Sequence, residues 1–182
     1  MNTNLPTPDA YWVTLAPPAA MPANGRFLAG EYPSAKDPVE AERKLIRYLN
    51  SGITFFLDLT EAGEHNLRPY NTAVQQLAAA LGQTITHRRM PIPDVSTPTP
   101  AYMSAILDTL DEALGRGETV YLHCFGGIGR TGTVVGCWLV RHGLPGEQAL
   151  AQIAAWRAGT PDGWIESPET SAQRRMVLSW QE

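Results

Sequence analysis

The apolar positions of this chain change period along its length. "ITFFLDL" (53–59) is a continuous apolar run rich in aromatic and β-branched residues, which predicts a strand covered on both faces. "RFLAG" (26–30), "TITHRRM" (84–90) and "TVYLHC" (119–124) predict three further strands, and "YWV" (11–13) a short one. Elsewhere the period lengthens. Met103, Ile106, Leu107, Leu110 and Leu114 follow i, i+3, i+4, i+7, i+11, the stripe of an amphipathic helix opened by Thr99 and Pro100. Asp37, Pro38 and Glu40 read as a cap, a first-turn proline and a first-turn carboxylate, with Leu45, Ile46 and Leu49 as the stripe of a helix running to Gly52. Further helices are predicted over 70–81, over "TGTVVGCWLVRH" up to Gly143, and over Pro145 to Ala158. A last one, capped by Ser167, Pro168 and Glu169, runs to about Trp180. "PIPDVSTPTP" (91–100) carries four prolines in ten residues and is predicted as a loop.

Strands and helices alternate and a helical tail follows. That pattern predicts an α/β fold, with a central, mostly parallel sheet flanked by helices. Residues 1–25, rich in proline, alanine and asparagine, read as an N-terminal arm with one short strand, and residues 26–182 as a single domain.

Composition narrows the function. With 43% hydrophobic and 18% charged residues, the chain can build a core. A net charge of −4 argues against a nucleic-acid partner. No basic leader and no run near the ~20 apolar residues of a membrane span are visible. Two cysteines, Cys124 and Cys137, are too few for a disulfide framework, and a reduced, cytoplasmic protein is expected.

The chemistry concentrates in "VYLHCFGGIGRTGT" (120–133), where a strand breaks into glycines and a helix follows. Glycines let backbone N–H groups converge into an anion-binding nest, and the helix adds its positive end. Arg130 can hold two phosphate oxygens with its guanidinium fork. Cys124 opens the cradle, where a helix end and a cation favour the thiolate. A phosphorus atom held there is open to attack by sulfur. A Walker-type loop would need Gly-Lys-Ser/Thr, and this loop has no lysine.

"VYLHCFGGIGRTGTVVGCWLV" resembles the signature loop of cysteine-dependent protein tyrosine and dual-specificity phosphatases. Its short form is most similar to that of the kinase-associated and atypical dual-specificity branch. "YWV…GRFLAGEYP", "FFLDLTEAGE", "HRRMPIPDVSTP" and "ESPETSAQRRMV" are similar to segments of small bacterial phosphatases of this kind, so the resemblance covers roughly residues 11 to 180. It implies a protein tyrosine phosphatase-like fold, with 26–182 as a single phosphatase domain that needs no cofactor or metal. Cys124 would be the nucleophile. Phe125, Gly126, Gly127, Ile128, Gly129 and Arg130 would bind the phosphate. Asp94, in the proline loop, would be the general acid, Thr131 would help the sulfur leave, and His123 would orient the loop.

Gln173 is matched more loosely to a glutamine near the hydrolytic water, and a solvated helix face is the competing reading. Asp58 is the rival acid, but it sits in an apolar strand. One of Arg88 and Arg89 could rim the pocket, although alternation puts one of them in solvent. "GEYP" (30–33) could line the entrance or be an ordinary turn, and Cys137 reads as core.

The expected substrate is a phosphorylated protein or a small phosphomonoester, with no nucleic acid or membrane partner. A phosphoinositide or inositol polyphosphate phosphatase ranks second, because residues 125–129 are neutral. A sulfurtransferase or arsenate reductase would leave Asp94 unexplained. A binding module without catalysis could dispense with the thiol or the acid, and both are present.

Overall fold

The computed structural model describes residues 5–15 and 21–182. Its sheet is built from β1 (Tyr11–Val13), β2 (Arg26–Gly30), β3 (Phe55–Asp58), β4 (Thr86–Arg89) and β5 (Thr119–His123). Among the described residues the α-helices are α1 (Pro38–Asn50), α2 (Asn71–Ala80), α3 (Pro100–Gly115), α4 (Gly129–Arg141), α5 (Gly146–Arg157) and α6 (Ser171–Leu178). The strand order is β1-β2-β5-β3-β4. Among the described residues only the β1–β2 pair is antiparallel, so the expected mostly parallel α/β sheet is found. Parts of the expected arm, residues 1–4 and 16–20, lie outside the described residues.

The apolar strand runs are explained by the pleat, since successive side chains point to opposite faces and both faces are covered. Phe27, Ala29, Phe55, Leu57, Val120 and Leu122 join one core with residues of α3, α4, α5 and α6. Leu28, Phe56 and Tyr121 join the other with Leu45, Tyr48 and Leu49 of α1 and Val74 and Ala78 of α2. All five members of the α3 stripe are fully buried. Burying a large aliphatic side chain is worth about 1.5–3 kcal/mol, so this one face anchors α3 firmly. Cys137 lies in the same core, where burial pushes its thiol up to about 12. Among the described residues, no helix is long and apolar enough to cross a membrane.

Asp37 caps α1 by accepting from the Glu40 N–H, and Thr99 caps α3 by accepting from the Tyr102 N–H, both as the sequence suggests. The start of α6 differs from expectation. Ser167 does not cap it: its hydroxyl donates to the Ile128 carbonyl (2.7 Å) instead. Thr170 is the cap, accepting from the Gln173 N–H while the Gln173 side chain accepts from the Thr170 N–H. That reciprocal pair is a capping box, legible as Thr-x-x-Gln.

Candidate active site

In the parallel register, Gly30 and Asp58 both pair with His123, and Asp58 with Arg89. The carboxyl ends of four strands are thus level, and the loops that follow them meet at one edge of the sheet. Sites in open α/β folds form at such edges.

Cys124 is the first residue after β5 and is buried. The loop it begins is tied to the loop after β2, because the Tyr32 N–H donates to the Phe125 carbonyl (2.8 Å). "GEYP" therefore braces the cysteine loop. Gly127 adopts φ of 70°, and a Cβ there would lie 2.5 Å from the Gly30 carbonyl carbon. Only glycine fits that position. Gly127→Ala is expected to destabilise the protein by about 1–2 kcal/mol or more, lowering Tm by several degrees in a thermal melt, and to weaken inorganic phosphate binding.

Arg130 stands in the first turn of α4 and is almost fully buried. Its Nη1 and Nη2 each donate to a Glu64 carboxylate oxygen at 2.7 Å, a bidentate pair. Nη1 also donates to the Ile92 carbonyl (3.0 Å), and Nη2 lies 2.9 Å from Asp94 Oδ1. Burial works against the charge, but the Glu64 hydrogen bonds prevail and raise the guanidinium's proton affinity.

The second carboxylate oxygen of Asp94 accepts from His65 Nε2 at 2.9 Å. The His65 ring stacks on Phe125, with centroids 4.6 Å apart. Burial pushes the Asp94 carboxyl upward, but the His65 hydrogen bond and the Arg130 cation outweigh it and hold it below the usual carboxylate range. Asp94 is therefore ionised at neutral pH while it rests on Arg130.

Cys124, Phe125, Gly126, Ile128, Gly129, Arg130, Asp94 and Gln173 line one cavity of about 340 Å³, together with His65, Asp162 and Glu169. Of the other residues singled out from sequence, Gly127 turns toward Gly30, and Thr131 is fully buried with no partner for its hydroxyl among the described residues. Gln173 is fully buried, not on a solvated face. Its Oε1 accepts from Thr170, and its Nε2 donates to the Ser96 carbonyl (3.1 Å), tying α6 to the Asp94 loop.

His123 lies behind the loop. Its Nδ1–H donates to the Cys124 carbonyl (3.1 Å), and its Nε2 accepts from the Tyr70 hydroxyl (2.6 Å). Burial lowers it to about 4, so it stays neutral and in that tautomer. Asp58 is fully buried outside the cavity, accepting from Thr60, His87 and Arg89. Burial opposes its ionisation, but His123, His87 and Thr60 prevail and keep it far below the usual carboxylate range. An acid so held has no proton to give. Arg89 serves Asp58 and Arg88 is exposed, so neither rims the cavity.

Sequence reasoning gave no role to Glu64 or His65. "TEAGEHN" bears the only hint, two carboxylates and a histidine directly after a buried strand.

Over 118 residues the chain is 33% identical to the 067L protein of Invertebrate iridescent virus 3, provisionally named a tyrosine phosphatase, covering 63% of this chain. The chain spans only 42% of that relative's length. The fold is similar to that of a kinase associated phosphatase whose catalytic-site cysteine is substituted by serine: TM-score 0.72, 21% identity, 97% of this chain and 99% of that one. It is also similar to Tk-PTP in its active form: TM-score 0.63, 27% identity, 90% of this chain and 95% of that one. Residues 33–144 match the model of a family described as "Polymorphic toxin system, DSP-PTPase phosphatase". With more than half of its length matched by that model, the chain belongs to the DSP-PTPase phosphatases of polymorphic toxin systems.

Proposed function

We propose that this chain is a cysteine-dependent phosphomonoester hydrolase acting on phosphorylated protein side chains. One observation carries the reading: Cys124, Arg130 and Asp94 share a single cavity, with the Asp94 carboxylate resting on the guanidinium that would hold a phosphate. Asp94 is then the placeholder for the substrate's own charge.

Phosphate displaces Asp94 from Arg130, and the Cys124 sulfur attacks phosphorus. As the S–P bond forms, the ester P–O bond breaks, and the leaving alkoxide or phenolate takes the Asp94 proton. Water then loses a proton to the Asp94 carboxylate and attacks phosphorus. The S–P bond breaks and phosphate departs. The unpartnered Thr131 hydroxyl is available to donate to the departing sulfur. Gln173 has two amide hydrogens and uses one on Ser96, which leaves one for the hydrolytic water. Residues 125–129 supply backbone N–H groups to the equatorial oxygens. Two unpaired cysteines and a thiol nucleophile suit a reducing cytoplasm.

The test is hydrolysis of p-nitrophenyl phosphate in the presence of a chelator, with pH profiles from 4 to 8. The acid must carry its proton, and its affinity for one is depressed in the free protein. kcat/KM should therefore be highest at acidic pH and fall as pH rises. A bound phosphate removes Arg130 from Asp94 and adds a negative charge, both of which favour the protonated form. The alkaline decline of kcat should accordingly lie at higher pH than that of kcat/KM. Asp94→Asn should cut kcat/KM at acidic pH by about 10²- to 10³-fold and erase the alkaline decline. An unchanged profile in that variant would remove Asp94 from the mechanism.

A further inference from the structure

A second cavity of about 340 Å³ adjoins the one that holds Cys124. The two share Phe125, Gly126 and Asp162, and the half-exposed ring of Phe125 stands between them. A third hollow, of about 320 Å³ between α1 and α2, joins the second through Ser34 and Arg68. A track therefore leads away from the catalytic cavity over the loop after β2.

The charges along this track are uneven. In the second cavity Lys44 is committed to the Glu31 carboxylate and the Tyr32 carbonyl. Lys36 and Arg68 line the same cavity, are exposed, and have no carboxylate partner among the described residues. Asp162, at the boundary with the catalytic cavity, opposes them with one charge. In the catalytic cavity the balance is reversed: Arg130 faces Asp94, Asp162 and Glu169. A sugar or inositol ring bearing several phosphates would set its second phosphate against those carboxylates. A peptide spaces its side chains about 3.3 Å apart per residue when extended, and so can carry a second anion past Phe125 before it meets a cation.

We propose that Lys36 and Arg68 form a subsite for an anionic side chain of a peptide substrate, a carboxylate or a second phosphate, within a few residues of the phosphorylated one. This rests on the phosphatase reading and adds a sequence preference to it.

The experiment uses tyrosine-phosphorylated peptides in an alanine host, scanned with a single glutamate in one series and a single phosphoserine in another. One position is expected to raise kcat/KM by about threefold to tenfold, through KM with kcat unchanged. The two series show whether a carboxylate suffices or a phosphate is preferred. In the Lys36→Ala/Arg68→Ala double variant this advantage should vanish while p-nitrophenyl phosphate turnover stays at the wild-type rate. The Lys36→Glu/Arg68→Glu variant should instead prefer a lysine at that position. No positional preference, or one that survives in both double variants, overturns the subsite. So does an inositol polyphosphate hydrolysed faster than any peptide. If wild type leaves p-nitrophenyl phosphate intact, the phosphatase reading fails by itself. Binding of the same peptides to the Cys124→Ser protein then decides the subsite by the same loss or persistence of preference.

Discussion

Cys124→Ser is expected to reduce turnover of p-nitrophenyl phosphate and phosphopeptides by at least about 10⁴-fold while leaving phosphate binding largely intact. The size follows from what is removed. Deleting the nucleophile of a catalytic unit costs on the order of 10⁴–10⁶ in kcat, because the remaining groups cannot start the reaction alone. A serine hydroxyl is a far weaker nucleophile than a thiolate at neutral pH. The binding half follows from what remains. Arg130 is held by Glu64 and the Ile92 carbonyl, and the Phe125 carbonyl by Tyr32, none of which involves the sulfur. The measurement pairs steady-state turnover with calorimetric titration of inorganic phosphate. A variant that keeps more than about 1% of wild-type kcat would transfer the nucleophile's role elsewhere. Loss of both turnover and binding would mean that the side chain shapes the loop and does not only react.

The fold was legible where local chemistry decides it. The runs at 26–30, 53–59 and 119–124 contain β2, β3 and β5, and the stripe from Met103 to Leu114 lies inside α3. The misses have a common cause. Ser167-Pro168-Glu169 has the look of a helix start, but tertiary contact claims Ser167: its hydroxyl is on Ile128, against Gly132, where a Cβ would meet it at 2.2 Å. Local propensity yields to such a contact because one buried hydrogen bond and close packing outweigh a cap preference of about 1 kcal/mol. The capping box that forms instead, Thr170-x-x-Gln173, begins three residues later.

The site divides the same way. Cys124 and Arg130 are legible because one turn of chain joins them, and Asp94 only through the resemblance of its proline loop to that of the phosphatases. Glu64 and His65 are not, since they reach Arg130 and Asp94 only through the pairing of β3 with β5 and β4. Strand order is not written in any one segment. His65 also sits at φ of 50°, a left-handed conformation uncommon for a residue with a Cβ, and no sequence pattern announces it. For Gln173 the sequence leaves a place near the hydrolytic water and a solvated helix face both open, and its burial comes from a tertiary contact, the hydrogen bond to the Ser96 carbonyl in the loop that holds Asp94.

Those two missed residues set the terms for Arg130→Lys, expected to lower kcat/KM by about 10³-fold, or about 4 kcal/mol of transition-state stabilisation. Charge is conserved, so the loss measures geometry. The guanidinium donates from Nη1 and Nη2 to the two Glu64 oxygens and also extends Nη2 toward Asp94. A lysine ammonium is a single point: it can pair with Glu64 or with a phosphate, and it cannot hold two oxygens of each in a plane. Glu64 is almost buried, so in the variant the ammonium should remain on that carboxylate, where leaving the charge unpaired would cost several kcal/mol. Phosphate would then bind weakly, and its equatorial oxygens would lose the fork in the transition state. Both kcat and the inhibition constant of inorganic phosphate should therefore deteriorate, unlike in Cys124→Ser, where kcat alone collapses. A thermal melt separates this from unfolding. With the Glu64 pair kept in altered form, Tm should fall by only a few degrees. If the variant retained wild-type phosphate affinity and more than about a tenth of kcat/KM, the two-pronged grip on phosphate would be the wrong account of this buried guanidinium.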